Sequence, residues 1–459
     1  MPANSAEKES HNKEDTNPSI IPYEKLSDNS FALINLRLID GTGSKPMNDQ
    51  TIIVKNGDFH AVGDISKVSI PDSMTVIDLQ NKTVVPGFVG MHNHLHIPRF
   101  PDIGHIASRL YLAAGVTTIQ TSGATNTELE LRLADSIHRG TALGPEIVVS
   151  APYITGPGGN RAMMIPENEQ HIRRFIQKWV NRGVSWFKVY RHTKTADLAI
   201  IIDEAHKHKA KVRGHLCSIT YSKAVELGID GIEHGLNAAS DFQPTKNYDV
   251  CIDGYGYIDD LDINSPTVRK VMKDMIDNGV FLNSTLAIIE SGIPARGYID
   301  ERALPIMSQT FQKQYHDRRA RYDDLLNDES RENRFKKMMA FDYQFFQMGG
   351  LLCSGSDAGR HVLPGMGDQR NYELFIEAGF SPEEAIKVMT SNGALALGRE
   401  DIGSVRAGKR ADFIILNGDL EKDSSVIKNT EMVFKNGIGY APSEILKQTE
   451  GAYGVIPPN

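Results

Sequence analysis

The sequence predicts an α/β fold: a (β/α)₈ TIM barrel with a small β-sandwich-like domain built from both ends of the chain. Three observations carry this prediction. Eight short apolar segments alternate with amphipathic segments through the middle of the chain, which favours a parallel barrel. Both ends contain short segments of alternating apolar and polar residues that stop at Gly, Asn or Asp, as strands joined by turns do. The 459 residues are enough for a barrel and a smaller module.

The domain boundaries are placed where these patterns change. We expect a tail at residues 1–28, a composite β domain at 29–83 and 399–459, and the barrel at 84–398. The tail is polar, and a segment that cannot bury apolar surface stays disordered.

The eight candidate barrel strands follow one another at intervals that leave room for helices. They are VVPGFVGMH, VTTIQTSG, EIVVSA, WFKVYR, KVRGH, DGIEHG, VFLNSTL and GGLLCSGSD. Two long segments, at about 237–265 and 292–335, separate the last three strands. Long loops of a barrel commonly cover its active-site mouth, although solvated surface insertions are the alternative.

Composition excludes some classes of function. The net charge is −8 and no stripe of Lys and Arg with interleaved aromatic residues is present, so we expect no nucleic-acid partner. No window of about 18 apolar residues exists, so we expect no membrane span. The N-terminal segment lacks the apolar core of a signal peptide. We expect a cytoplasmic location for the chain as written, and a periplasmic or secreted one if a signal peptide has been removed.

The three cysteines, Cys217, Cys251 and Cys353, are far apart and odd in number. This spacing does not predict a disulfide framework or a thiolate metal cluster. We expect each to be a small buried residue or a free thiol.

Ionisable residues recur where the candidate barrel strands end. They are His92 and His94 on the first strand, Lys188 on the fourth, His215 on the fifth, His234 on the sixth and Asp357 on the eighth. Residues two apart on a strand face the same side, and the carboxyl ends of barrel strands form the active-site mouth. Each residue alone is a weak signal, but their joint placement predicts a metal site.

The residue types limit the chemistry of such a site. Imidazole and carboxylate ligands suit zinc, manganese, iron or cobalt. The ammonium group of Lys188 cannot bind a metal. As a ligand, Lys188 would have to be an N6-carboxylysine, a carbamate formed with carbon dioxide, whose two oxygens bridge two ions.

Several motifs together resemble the amidohydrolase superfamily, and within it the imidazolonepropionase-like and prolidase-like hydrolases with binuclear metal centres. The matching segments are PGFVGMHNH, FKVY, GH, EHG and GSDAG, followed by TSNGALALG, IGSVRAGKRADFIIL and VFKNG. The resemblance extends from about residue 31 to the C-terminus, and the combined set is highly specific.

This resemblance implies a cofactor of two divalent metal ions, with zinc expected first. It implies that His92, His94 and Asp357 hold the more buried ion, that His215 and His234 hold the second, and that carboxylated Lys188 bridges them. One departure is Gly90, where the family often has Asp. His96 is an additional histidine that we do not count as a ligand.

A mechanism follows from this resemblance. A water shared by two cations becomes a competent nucleophile near neutral pH. Asp357 is the expected base that takes its proton and passes it to the leaving amine, with Lys188 and Tyr190 as the other catalytic candidates. Tyr190 would donate a hydrogen bond to the substrate carbonyl.

Three further residues are candidates for substrate binding: Arg161 after the third strand, Arg191 after the fourth, and His361 just beyond Asp357. Arg and His near a metal site commonly fix a carboxylate. They favour a small-molecule substrate with a free carboxylate, such as a dipeptide or an N-acyl amino acid, including aromatic amides of the mycotoxin-conjugate kind.

Two alternatives stay open. The same bimetallic centre serves lactonases, carbamate or ester hydrolases and phosphotriesterases, and the motifs do not separate them. A catalytically inactive scaffold on this fold is the second alternative, although such proteins usually lose ligands. The resemblance also implies a homo-oligomer.

Overall fold

A computed structural model describes residues 30–95, 104–296, 299–322, 325, 329–359 and 361–455. The predicted tail and His96 lie outside these ranges.

The strands in this part of the chain are β1 (Ser30–Leu38), β2 (Met47–Lys55), β3 (Asp58–Asp64), β4 (Thr75–Asp78), β5 (Lys82–Pro86), β6 (Phe88–Asn93), β7 (Val116–Thr121), β8 (Glu146–Val148), β9 (Trp186–Val189), β10 (Lys211–Gly214), β11 (Gly231–Glu233), β12 (Phe281–Ser284), β13 (Leu352–Ser354), β14 (Phe413–Asn417), β15 (Thr430–Lys435) and β16 (Ile438–Tyr440).

The α-helices are α1 (Gly104–Ala113), α2 (Thr127–His138), α3 (Glu169–Val180), α4 (Thr195–Lys207), α5 (Tyr221–Glu226), α6 (Pro266–Asp277), α7 (Leu286–Glu290), α8 (Ala303–Ile306), α9 (Gln309–Ala320), α10 (Glu329–Gln347), α11 (Met366–Ala378), α12 (Pro382–Met389), α13 (Ser391–Leu397) and α14 (Pro442–Lys447). Short 3₁₀ helices lie at Gly235–Ala238, Ser240–Phe242, Gly256–Ile258 and Ser424–Lys428. Among these helices, none combines the length and the apolar character that crossing a bilayer requires.

One sheet draws its strands from both ends of the chain, in the order β16-β15-β14-β5-β1-β2-β3, with β4 paired to β1. Apolar side chains on its strands form a core of their own, in which the rings of Phe413 and Phe434 stack with centroids 4.3 Å apart. The sequence predicts a sandwich-like module, whereas the structure joins the eight strands in one hydrogen-bonded sheet, with seven in a continuous path and β4 beside β1.

The first candidate barrel strand, VVPGFVGMH, is divided between two sheets. Its first residues belong to β5, which pairs with β14, and the rest form β6, which pairs with β7. The change occurs at Gly87, where a Cβ atom would collide with the side chain of Thr117. The chain can therefore pass between the two sheets only where a side chain is absent.

The other candidate strands form two parallel sheets, β6-β7-β8 and β9 to β13 in sequence order. Isolated parallel bridges, Ser150 with Trp186 and Ile154 with Val189, connect β9 to the segment after β8. At the other side, the backbone N–H of Asp357 donates to the carbonyl of His92, 2.8 Å away. The carboxyl ends of all eight strands therefore point in a common direction.

Amphipathic segments form helices between consecutive parallel strands, as predicted. In α6, Ser265 accepts a hydrogen bond from the backbone N–H of Val268 and Pro266 begins the helix, a combination that favours a helix start. The segment 292–335 contains α8, α9 and the beginning of α10. This insertion lies at the carboxyl ends of the strands, since it leaves α7 and returns through α10 to β13.

Candidate metal centre

The six side chains predicted as metal ligands all line one cavity of about 530 Å³. They are His92, His94, Lys188, His215, His234 and Asp357. They reach it from the ends of β6, β9, β10, β11 and β13. Parallel pairing aligns these strand ends, so residues separated by up to 265 positions meet there.

His92 is held from behind by a buried acid. Its Nδ1 atom lies 2.5 Å from Oε2 of Glu233, and both side chains are at most 1% exposed. Because a carboxylate accepts hydrogen bonds, Nδ1 carries the proton and Nε2 presents its lone pair to the cavity. Nε2 lies 3.0 Å from Nζ of Lys188 and 3.5 Å from Oδ1 of Asp357.

Glu233 is itself fixed by Arg213, whose Nε atom donates to Oε1 of Glu233. The Arg213 guanidinium also donates to the carbonyl of Met91 at 2.5 Å and to the side chain of Gln120. Although burial alone would raise the pKa of Glu233, the charge of Arg213 and the hydrogen bond with His92 hold it well below its usual range. Glu233 is therefore a permanent carboxylate in this network.

Asp357 and His94 meet at the opposite side of the centre. Oδ1 of Asp357 lies 2.9 Å from Nε2 of His94, and Nδ1 of His94 lies 3.2 Å from the hydroxyl of Tyr153. Burial tends to raise the pKa of Asp357, but His92, His94 and His234 outweigh it and hold the pKa well below its usual range. Asp357 therefore presents an ionised carboxylate to the cavity.

Burial disfavours the charged forms of His92, His215, His234 and Lys188. Desolvation lowers the pKa of His92 to about 4 and that of His234 to about 3. The pKa of His215 also falls well below its usual range, chiefly through burial and secondly through His234. Burial lowers the pKa of Lys188 to about 8. Neutral imidazoles offer the lone pairs that a metal ion requires.

His234 and Asp357 occupy unusual backbone positions. Their backbone φ angles are 69° and 46°, in the left-handed region that residues other than Gly rarely adopt. Nδ1 of His234 lies 2.8 Å from Oγ1 of Thr285 and 3.9 Å from Oδ2 of Asp357. Strain of this kind persists where the surrounding structure holds it, and it is typical of functional sites.

One group of three side chains has the spacing needed for a metal ion. Ligand atoms of His92, His234 and Asp357 all lie within 4.8 Å of one another. The chemistry of the set, two neutral imidazoles and a carboxylate, fits a divalent ion such as zinc. His94, His215 and Lys188 line the same cavity beside this group.

The residues predicted to contact the substrate lie in different places. Tyr190 lines the cavity, with its ring centroid 4.8 Å from that of His215. Arg161 is exposed, although its neighbours Asn160 and Ala162 line the cavity. His361 lies outside this cavity, in another pocket, packed against Phe311.

Arg191 lies beside the metal cavity, where its guanidinium forms an ion pair with the exposed Asp253. It contacts the sulfur atoms of Cys217 and Cys251 at 3.8 and 3.5 Å. A small pocket next to His215 includes Arg191 among its lining residues.

The prediction that Cys217 and Cys251 are unpaired is wrong, because they form a disulfide with Cα atoms 4.9 Å apart. Thirty-four positions separate them in the sequence, and only the return of the segment after β11 over the end of β10 brings them together. Cys353 is a buried free cysteine, as expected.

Sequence reasoning missed the residues behind the ligands, above all Glu233, Arg213 and Tyr153. Glu233 precedes His234 in the EHG motif, and because neighbouring residues of a strand point to opposite faces, Glu233 lies on the face opposite to His234. A charged residue in an apolar strand, next to a candidate ligand, was the available signal.

Gly90, where the family often has Asp, lies against Asn93. A Cβ atom on Gly90 would collide with the Asn93 side chain, whose Oδ1 accepts from Ser356 at 3.1 Å. Asn93 thus occupies the space beside this position, and the carboxylate that orients His92 is that of Glu233, on β11.

Known proteins resemble this chain over most of its length. An adenine deaminase of Listeria monocytogenes serotype 4b (strain F2365) is 24% identical over 419 residues, which cover 89% of this chain and 58% of the deaminase. The chain thus spans somewhat more than half the length of this relative.

Two solved structures show the same fold over nearly the whole chain. A protein from Bifidobacterium longum, assigned as a prolidase, has a TM-score of 0.68 at 24% identity, covering 92% of this chain and 98% of its own. The ochratoxinase of A. niger has a TM-score of 0.62 at 17% identity, covering 89% and 95%. The model of the amidohydrolase family matches residues 83–438, and the chain therefore belongs to that family.

Proposed function

We propose that this protein is a binuclear metal-dependent amidohydrolase that cleaves an amide bond in a small carboxylate-bearing substrate. Dipeptides and N-acyl amino acids are the main class, and aromatic amides such as mycotoxin conjugates fall within it. The observation that carries the proposal is the convergence of all six candidate ligands on one cavity. Prolidase and ochratoxinase among the similar folds support an amide substrate.

The residues present suit two divalent ions, zinc first. His92, His94 and Asp357 would hold one ion, His215 and His234 the other, and carboxylated Lys188 would bridge them. Formation of a carbamate requires a neutral amine, and burial lowers the pKa of Lys188 to about 8, so a fraction of the amine is neutral at physiological pH. When bound, the ions supply an acidified water and polarise the substrate carbonyl.

The chain's own residues would then orient and move protons. Asp357, ionised and only partly exposed, would accept the proton of the attacking water and deliver it to the leaving nitrogen. Tyr153 is held beside His94, and Tyr190 faces the cavity; the hydroxyl of Tyr190 would donate to the substrate carbonyl. Glu233 would keep His92 in the tautomer that ligates through Nε2.

We propose three further features of the molecule. The two parallel sheets complete a (β/α)₈ barrel over 84–398, with the composite β domain at 29–83 and 399–459. The Cys217–Cys251 disulfide favours an oxidising compartment, periplasmic or secreted. A homo-oligomer is the expected assembly.

A substrate panel and a metal determination test the proposal. Purified protein should contain about two equivalents of divalent metal, lose activity on chelation and regain it with zinc. The panel pairs dipeptides and N-acyl amino acids with lactones, carboxyl and phosphate esters, and with adenine, since an adenine deaminase is among the relatives. Preferred turnover of an ester, a lactone or adenine would replace the amide assignment, and absence of both metal and turnover would favour the scaffold.

A further inference from the structure

The metal cavity continues into a second lobe. A neighbouring cavity of about 500 Å³ shares the lining residues His215, His234, Ile288 and Asp357 with the metal cavity. The two spaces therefore form one cleft, and the candidate metal centre lies where they join. A substrate whose scissile carbonyl lies at the centre would extend into both.

The metal cavity offers apolar surface away from the ligands. Ala124, Pro152, Ala162 and Met163 line it. Among its described lining residues, only Lys188 and Asp357 carry a formal charge outside the histidines, and both belong to the candidate metal centre. This side of the cleft suits an uncharged group.

The second lobe has the opposite character. The insertion between β12 and β13 contributes three arginines, Arg318, Arg331 and Arg334, and we name this space the arginine lobe. Within the part of the chain that the structure describes, Asp357 is the one acid that lines it. Clustered arginines beside a reacting centre attract an anion.

The three arginines differ in what they contact. Arg334 donates two hydrogen bonds to Asp259, at 2.5 and 2.6 Å, so its charge is balanced by that acid. Arg331 contacts the carbonyl of Gly292 at 3.5 Å. Arg318, half-buried on α9, contacts the neutral hydroxyl of Tyr322 at 3.4 Å. The charge of Arg334 is therefore engaged by an acid, whereas the contact of Arg318 is with a neutral group and leaves its charge for a ligand.

We propose that the arginine lobe is the carboxylate subsite of the substrate and that Arg318 is its principal contact. This inference rests on the proposed function. The planar guanidinium of Arg forms paired hydrogen bonds with a carboxylate, and the lobe opens directly from the metal centre. The carboxylate is thereby assigned to the insertion between β12 and β13 rather than to the exposed Arg161.

The assignment also orients the substrate. In a dipeptide or an N-acyl amino acid, the carboxylate belongs to the amine half, which leaves after hydrolysis. That half would occupy the arginine lobe, and the acyl half would lie against the apolar surface of the metal cavity. The class expected to bind best is an N-acyl amino acid with an apolar acyl group.

The test compares an acid with its amide in the full-length chain. Asp357→Asn serves as the background because it suppresses turnover, and calorimetry measures binding of N-benzoylglycine and N-benzoylglycinamide. The acid should bind about tenfold more tightly than the amide, since a hydrogen bond between a guanidinium and a carboxylate is stronger than one to a neutral amide. Arg318→Gln should remove this preference, and Arg318→Lys should retain part of it.

Lys313→Gln is the matched control, because it removes one positive charge from the exposed face of the same helix. It should keep the full preference for the acid, and thermal unfolding checks that every variant is folded. Equal binding of acid and amide to the background protein, or a preference that survives Arg318→Gln, would overturn the inference. So would loss of the preference in Arg161→Gln with Arg318→Gln unaffected.

The outcome is separable from that of the proposed function. If acid binding depends on Arg318 while no amide is hydrolysed by the wild-type enzyme, the subsite stands and the reaction is wrong. If amides are hydrolysed with no dependence on Arg318, the reaction stands and the subsite is wrong.

Discussion

The floor and the wall of the cleft are built from different kinds of contact. The floor, which we define as His92, Lys188, Arg213 and Glu233, is at most 1% exposed, and its charged groups contact one another. The wall consists of the described residues of the segments 237–265 and 292–335. Its side chains include Asp253, 84% exposed, and Tyr255, 44% exposed.

This difference assigns separate tasks to the two regions. Desolvation and charge pairing fix protonation states in the floor, where no water screens them. In the wall, solvent weakens exposed ion pairs such as that of Arg191 with Asp253, so exposed residues there can change without loss of the fold. We therefore expect chemistry to reside in the floor and its adjoining ligands, and substrate preference in the wall.

The largest effect should come from Asp357, which contacts the floor residue His92 and lines the cavity. Asp357→Asn removes the proposed base and should lower turnover by up to about 10⁴-fold, while part of the metal stays bound. Steady-state kinetics and metal determination measure the two effects. Asp253→Asn, in the exposed wall, is the matched control and should retain activity; full activity in Asp357→Asn would exclude it as the base.

The next largest effect should come from Glu233. Glu233→Gln leaves Arg213 without its acid in a buried site, and breaking such a pair costs about 3–5 kcal/mol of stability. Zinc affinity should also fall about 10- to 100-fold, because His92 loses the carboxylate that orients it. Denaturant unfolding and zinc titration measure these losses. Glu226→Gln, at an exposed pair with Lys223, should change neither, and similar behaviour of the two variants would contradict the division into floor and wall.

The disulfide should stabilise the folded chain by linking the wall at Cys251 to the residue Cys217 that follows β10. Replacing Cys217 and Cys251 by Ser should lower the free energy of unfolding by about 3–4 kcal/mol, because a closed loop of 34 residues restricts the unfolded chain. A reducing agent should lower wild-type stability by a similar amount and leave the double variant unchanged. Equal sensitivity of both proteins to reduction would show that the cross-link does not contribute.

The smallest effect should come from the ion pair between Arg191 and Asp253. Since Asp253 is 84% exposed, the pair should contribute less than about 1 kcal/mol. Arg191→Gln, Asp253→Asn and the double variant form a cycle that measures the coupling by unfolding and by kcat/KM. A coupling well above that value would show that the Arg191–Asp253 pair behaves like the buried contacts of the floor.

Strand alternation and the positions of strand ends could be predicted from the sequence, and they identified the residues that face the cavity. His92 and His94 are two apart on β6, so one local rule puts both on one face. The network behind them was not readable, because Glu233 contacts His92 across 141 positions and Arg213 contacts Gln120 across 93. A buried charge is tolerated only with its partner, and that partner comes from another strand.

By itself, the sequence determined the parallel α/β architecture, the amidohydrolase motifs and the set of six candidate ligands, because periodicity and strand-end chemistry are local properties. Only the tertiary structure decided which of the candidate cations adjoin the cleft: Arg161 is exposed, Arg191 is paired beside the disulfide, and Arg318, on a distant insertion, lines the arginine lobe. It also paired Cys217 with Cys251. These contacts depend on how long loops return over the strand ends, and no local pattern encodes that path.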